Sequence, residues 1–169
     1  MTRRSAIAVL GSVVAFARTG AAAQSVAPGE WRTFDGSWLA SGVRQTLPTA
    51  GGATAAIVRL SGSLVLSNRS AGAGFAAEVI AYDDGAGTSS GRAVWTDSRG
   101  DRVFSALAGG PLDGGRRIIG TITGGTGRWT GATGDYSLTW QYFLAGEGDA
   151  VQGRSTDLHG RIRVAEPRR

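Results

Sequence analysis

Hydrophobic and polar residues alternate along most of the chain. Between Ala56 and Leu66 the even positions read Ala, Val, Leu, Gly, Leu, Leu, and the odd ones read Ile, Arg, Ser, Ser, Val. Period 2 over such a run predicts a long half-buried strand, because successive side chains of a strand point to opposite faces. Downstream, Phe75, Ala77, Val79 and Ala81 share one face of a strand ending near Tyr82, while Ala93–Thr96 and Val103–Leu107 flank the turn sequence Asp97–Asp101. Ile118, Gly120 and Ile122 then alternate with Arg117, Ile119, Thr121 and Thr123. Tyr136, Leu138, Trp140 and Tyr142 alternate with Ser137, Thr139, Gln141 and Phe143, and the last strand sets Thr156, Leu158, Gly160, Ile162 and Val164 against His159, Arg161 and Arg163. With Ser37–Val43 as the first, this makes about eight strands separated by glycine-rich or Asp-containing turns.

Helical periodicity is nearly absent, so the pattern predicts an all-β chain, and at 169 residues a single domain. Two packings suit such a set, a closed antiparallel barrel and a two-sheet sandwich. Strand glycines such as Gly42, Gly62, Gly120 and Gly160 favour the barrel, as marks of the bends that closure requires. Closure also removes sheet edges, which matters in a chain without a lysine to protect them. The expectation is an eight-stranded antiparallel β-barrel over residues 36–165, preceded by an arm over 24–35 and followed by a short tail at 166–169.

The first 23 residues read differently. Arg3 and Arg4 precede the apolar run Ala6–Phe16, and Ala21–Ala23 supplies the small residues of a cleavage site. This predicts a secretory signal peptide ending at Ala23 and a periplasmic or secreted mature protein. The apolar run falls short of the roughly 20 residues that span a bilayer, so no stable membrane insertion is expected after cleavage. The paired arginines leave both the general secretory and the twin-arginine routes open.

That segment also changes the charge. The formal net charge is +5, but without Arg3, Arg4 and Arg18 there remain 15 arginines against 13 acidic residues, or +2. The remaining arginines are scattered, with no basic run to neutralise successive phosphates, so nucleic acid is not an expected partner. All 18 basic residues are arginine, which excludes Schiff-base chemistry and the phosphate-binding lysine of nucleotide enzymes. With no cysteine and one histidine, there is no disulfide framework, no thiolate nucleophile and no expected metal site or cofactor.

The segment Gly124–Gly134 holds five glycines in eleven residues around Arg128 and Trp129. A dinucleotide loop needs G-x-G-x-x-G opening a helix, and here the spacing fails and a strand follows. The glycines instead suit a chain reversal between strands, with Trp129 closing one end of an apolar interior. In Asp97–Asp101, two carboxylates four residues apart could bind a cation or act as acid and base, but Asp and Gly here also have the form of a β-turn.

Other candidates depend on which faces turn inward. Glu78 shares a face with Ala76, Ile80 and Tyr82. If that face is interior, Glu78 is a buried carboxylate beside Arg59 or Arg92 and a candidate acid or base; if the Phe75 face is interior, Glu78 is solvated. Asp157 and His159 share a strand face, as a hydrogen-bonded pair or as surface residues. The candidate catalytic groups are therefore Glu78, Tyr82 and Asp97. Trp38, Trp95, Trp129 and Trp140, with Tyr82, are the candidate ligand contacts if several line one interior.

Two resemblances sharpen the fold. The stretch GTITGGTGRWTGATGDYSL, Gly120–Leu138, resembles the glycine segment of the dirigent and allene oxide cyclase barrel superfamily, and GRAVWTDSRGDRVFSALAG, Gly91–Gly109, is similar to the strand-turn-strand before it in bacterial exported relatives. The likeness covers about Gly62–Gly134 and implies an eight-stranded barrel with an apolar central cavity, in a dimer or trimer; it carries no catalytic residue across. GSW, Gly36–Trp38, with Arg161 or Arg163 resembles the lipocalin arrangement of an arginine stacked over a barrel-closing tryptophan. The functional expectation is an exported barrel that holds a small apolar or aromatic molecule. A cyclase or isomerase of the same architecture, and a lipocalin-like carrier or structural envelope protein, are the alternatives; a homo-oligomer is a further expectation.

Overall fold

The computed structural model describes residues 29–67, 74–112, 115–145 and 149–165. The signal segment, residues 24–28 of the arm and the tail lie outside them. Eight antiparallel strands run β1 (Arg32–Pro48), β2 (Thr54–Leu66), β3 (Phe75–Asp83), β4 (Ser89–Asp97), β5 (Arg102–Leu112), β6 (Gly115–Gly125), β7 (Ala132–Ala145) and β8 (Ala150–Val164). Each pairs with its neighbours in sequence, and β1 also pairs with β8, from Arg32 opposite Ile162 to Val43 opposite Ala150, so the sheet closes on itself. The expected all-β barrel is the fold.

Alternation decides the interior as read from the sequence. On β2, Ala56, Val58, Leu60, Leu64 and Leu66 are buried, while Ile57 and Val65 on the other face are more than half exposed. Phe75 and Ala77 on β3 point inward, so Glu78, on the alternate register with Ala76, points out. Removing apolar surface from water at roughly 25 cal/mol per Å² makes this inner face the main source of stability. Its centre is aromatic: Trp95 lies against Tyr136 at 4.7 Å between ring centroids, Phe34 against Trp95 at 6.0 Å, and Trp38 against Trp140 at 4.9 Å. Gly120 has a specific cause, since a Cβ there would overlap the ring of Tyr136, which crosses from β7 onto β6. It makes room for a ring where the sequence suggested a bend.

Two expectations change. β1 begins at Arg32, not Ser37, so residues 32–35 of the expected arm are strand, and Phe34 is 1% exposed in the core. On β8 the inward parity switches: Val151 and Ser155 are buried before Asp157, and Leu158, Ile162 and Val164 after it. Asp157 has φ 53, and the register against both β1 and β7 slips by one residue there. The extra residue of this bulge turns Thr156 away from the inner face on which simple alternation placed it.

Candidate functional site

The barrel has two unlike ends. One gathers the β2–β3, β4–β5 and β6–β7 connections with the start of β1 and the end of β8; the other gathers the β1–β2, β3–β4, β5–β6 and β7–β8 connections.

The first end is closed. A single 3-10 turn, Gly127–Trp129, drops the Trp129 ring into the barrel, where it is 1% exposed and 5.8 Å from the Phe75 ring. Gly127 takes φ 53, and a side chain there would strike the Asp101 carboxylate. Beneath this turn Asp97 is saturated. Its Oδ1 accepts from the backbone N–H of Arg99 at 2.8 Å and of Asp101 at 3.1 Å, and its Oδ2 accepts from Arg128 Nε at 2.6 Å and from Trp129 Nε1 at 3.1 Å. Burial works against the Asp97 carboxylate, yet these four bonds outweigh it and hold its pKa below the ordinary 3.8. Arg128 also lies 4.9 Å from the Trp129 ring centre, and its backbone N–H donates to Asp101 Oδ2 at 3.2 Å. The Gly124–Gly134 segment is thus a corner that corks the barrel, and Asp97 is the peg that holds the cork.

The second end is open. An apolar cavity of about 90 Å³ runs inward from it, lined on the walls by Val58, Leu60, Ala77, Ala93, Leu107 and Leu138 and on its inner side by Trp38, Trp95, Tyr136 and Trp140. Polar residues collect only at the mouth, which includes Asp83, Ser89, Arg116 and Tyr142. Arg116 faces inward beside Trp140, its direct partner across β6 and β7, and both its terminal nitrogens reach Asp83, at 2.6 and 3.1 Å. Burial raises the pKa of the Tyr142 hydroxyl, opposed by Trp140, Arg44 and Arg116 close by. Deeper in, burial pushes Tyr136 up to about 12 against the smaller pull of the Ser105 hydroxyl, so the phenol is neutral across the physiological range.

The expected site residues divide between these regions. Trp38, Trp95 and Trp140 line the cavity together, and Tyr82 stands half exposed at its rim, on the outward register of β3. Trp129 does not reach the cavity, because it is consumed in closing the other end. Asp97 is buried beside it, with its lone pairs occupied by structural donors. Glu78 is exposed on the outer wall, since Phe75 and Ala77 claim the inner face. Glu78, Tyr82 and Asp97 therefore do not converge on one point, and no acid–base set is built from them.

Arg161 and Arg163 also stand outside, stacked on Trp31 at 4.8 and 4.7 Å; Trp38 stacks on Trp140 instead of under an arginine. The lipocalin-like contact expected of Trp38 is absent. His159 is exposed, with Nδ1 at 2.9 Å from the backbone oxygen of Asp157 and Nε2 at 3.1 Å from Ser137 Oγ. This serine–histidine contact lies on the open outer wall, without a pocket to hold a substrate.

Arg44, Asp83, Ser89 and Arg116 had not been singled out from the sequence. Their only signal is that each polar residue occupies an inward register near a strand end. No family model, curated protein or solved structure matches this chain.

Proposed function

We propose that the protein is an exported binding barrel that takes a small apolar or aromatic molecule into its interior through the open end. The observation that supports this is the contrast within one interior: aromatic rings and a corked turn fill one end, while an apolar cavity of about 90 Å³ opens at the other. An enclosed apolar cavity of ~150 Å³ admits benzene. The smaller space here is open at its mouth, so one ring or a short branched chain enters with its far end at the rim.

Toluene, followed by nuclear magnetic resonance of the five indole N–H groups, tests this reading. Saturable shifts confined to Trp38, Trp95 and Trp140 are expected, with Trp129 unmoved. Ala93→Leu, which places a larger side chain on the cavity wall, should weaken binding at least ~10-fold by occupying the same space. No saturable shift in the unaltered protein would refute the proposal. Export is tested separately, by the N-terminal sequence of protein recovered outside the cytoplasm, with Gln24 as the expected first residue.

A second reading, self-association, draws on the outer wall near the open end. Val43, Leu47, Ile57, Ile80 and Tyr82 form adjacent positions across β1–β3 and are 46%, 67%, 55%, 60% and 50% exposed. Exposed apolar residues grouped in this way, interspersed only with Gln45 and Arg59, favour burial against a second copy. Light scattering across a dilution series distinguishes a dimer or trimer from a monomer.

A further inference from the structure

We infer that the molecule held in the barrel carries a carboxylate, directed toward the mouth and received by Arg116, Arg44 and the two facing indoles. The inference rests on the cavity reading above and adds the chemistry of the ligand's polar end. Its starting point is an imbalance of donors. Among the described residues, the buried side-chain polar atoms without a hydrogen-bond partner are Trp38 Nε1, Trp140 Nε1, Arg116 Nε and Ser105 Oγ. Three of these four are N–H groups that can only donate. Leaving a buried donor unmet costs stability, so three in one region call for an acceptor.

Their placement brings the three residues together around one cavity. Trp140 and Arg116 are direct cross-strand partners on the inner face, and the Trp38 ring lies 4.9 Å from that of Trp140. Trp38 and Trp140 are 7% and 5% exposed, and all three residues line the cavity. The Trp140 N–H lies near the Tyr142 hydroxyl without hydrogen-bond geometry, which leaves it free to turn to a better acceptor.

Charge then selects an anion over a neutral carbonyl. At the inner rim Arg116 is matched by Asp83, whereas Arg44, on the inward register of β1, makes no ion pair among the described residues. It is close enough to Tyr142 to act on its hydroxyl. On the inward registers Arg44 and Arg116 thus face the one acid Asp83, while Asp84, just past the end of β3, also acts on Arg116. The Asp83 pair occupies the two terminal nitrogens of Arg116 and so holds its Nε edge fixed for the ligand. A carboxylate there gains charge-assisted bonds about twice as strong as neutral ones. An apolar body behind it fills the wall between Leu60 and Leu107.

The test compares benzoate with toluene at neutral pH, by calorimetry and by the indole N–H resonances. Benzoate is expected to bind at least ~10-fold tighter than toluene, with the Trp38 and Trp140 signals moving downfield as they gain an acceptor. Arg116→Gln should remove most of that preference, read as the ratio of benzoate to toluene affinity in the same variant. Arg44→Gln, which leaves the Arg116–Asp83 pair in place, should reduce the preference severalfold. Equal affinity for the two probes, or a preference that survives both substitutions, overturns the carboxylate and leaves the apolar cavity intact. If neither probe binds, the cavity reading fails and the carboxylate with it.

Discussion

The two ends of this barrel are built from the same alternating strands and reach opposite outcomes. At the closed end Asp97 accepts four hydrogen bonds and Trp129 is packed to 1% exposure. At the open end Trp38, Trp140 and Arg116 hold N–H groups without partners around an apolar space. Satisfied polar groups and filled volume stabilise a fold, whereas unmet donors beside a void cost stability and are kept where a ligand completes them. The closed end is filled and satisfied, and the open end is neither.

The largest expected effect breaks the closed end. Trp129→Ala removes a fully buried ring and one of the Asp97 donors, and should lower unfolding free energy by about 3–5 kcal/mol in a denaturant titration. A loss below ~1 kcal/mol would mean that the turn is not the cork described.

Asp97→Asn is expected to cost about 2–3 kcal/mol, because the amide cannot accept all four bonds with the strength of the carboxylate. It also has a pH signature. The folded pKa of Asp97 lies below the unfolded 3.8, so its contribution is complete above that value and is lost as acid carries the protein down through the folded pKa. Unfolding free energy measured between pH 7 and pH 2 should therefore fall less steeply in Asp97→Asn than in the unaltered protein.

A smaller effect sharpens the contrast directly. Ala132 and Ala93 are both buried, at 1% and 2% exposure, but only Ala93 lines the cavity. Ala132→Leu should destabilise by about 1–3 kcal/mol through overpacking, and Ala93→Leu by less than ~1 kcal/mol, since its extra methyl groups enter empty space. Equal costs at the two sites, read by thermal unfolding, would erase the distinction between the ends.

Much of this was legible along the chain, for reasons that differ by residue. β2 could be read in full because its alternation is local and unbroken. The first turn of β1 could not: Phe34 is the only apolar residue in Arg32–Asp35, and those residues become strand through pairing with Ile162 and its neighbours at the far end of the chain. Thr156 was misplaced because one bulge residue, Asp157, reverses the parity on which the reading depends. In Asp97–Asp101 the turn was visible, yet the partners that hold the Asp97 charge in the core were not, since Arg128 and Trp129 arrive from 31 and 32 residues away. Of the four tryptophans expected in one interior, Trp38, Trp95 and Trp140 line the cavity, while Trp129 went to the other end.

By itself the sequence determined the all-β class, the order of the strands and, on most of them, which side chains face inward, because a period of two is a property of neighbouring residues and needs no partner. Closure and a capping role for Trp129 could be expected from the strand glycines and the turn, but only the tertiary structure decided which strand positions pair, that Asp97 anchors the Trp129 turn, and that Arg116 and Trp140 meet inside the mouth. Those outcomes depend on register between strands and on the summed volume of side chains drawn from all around the barrel, quantities that no local stretch of the chain contains.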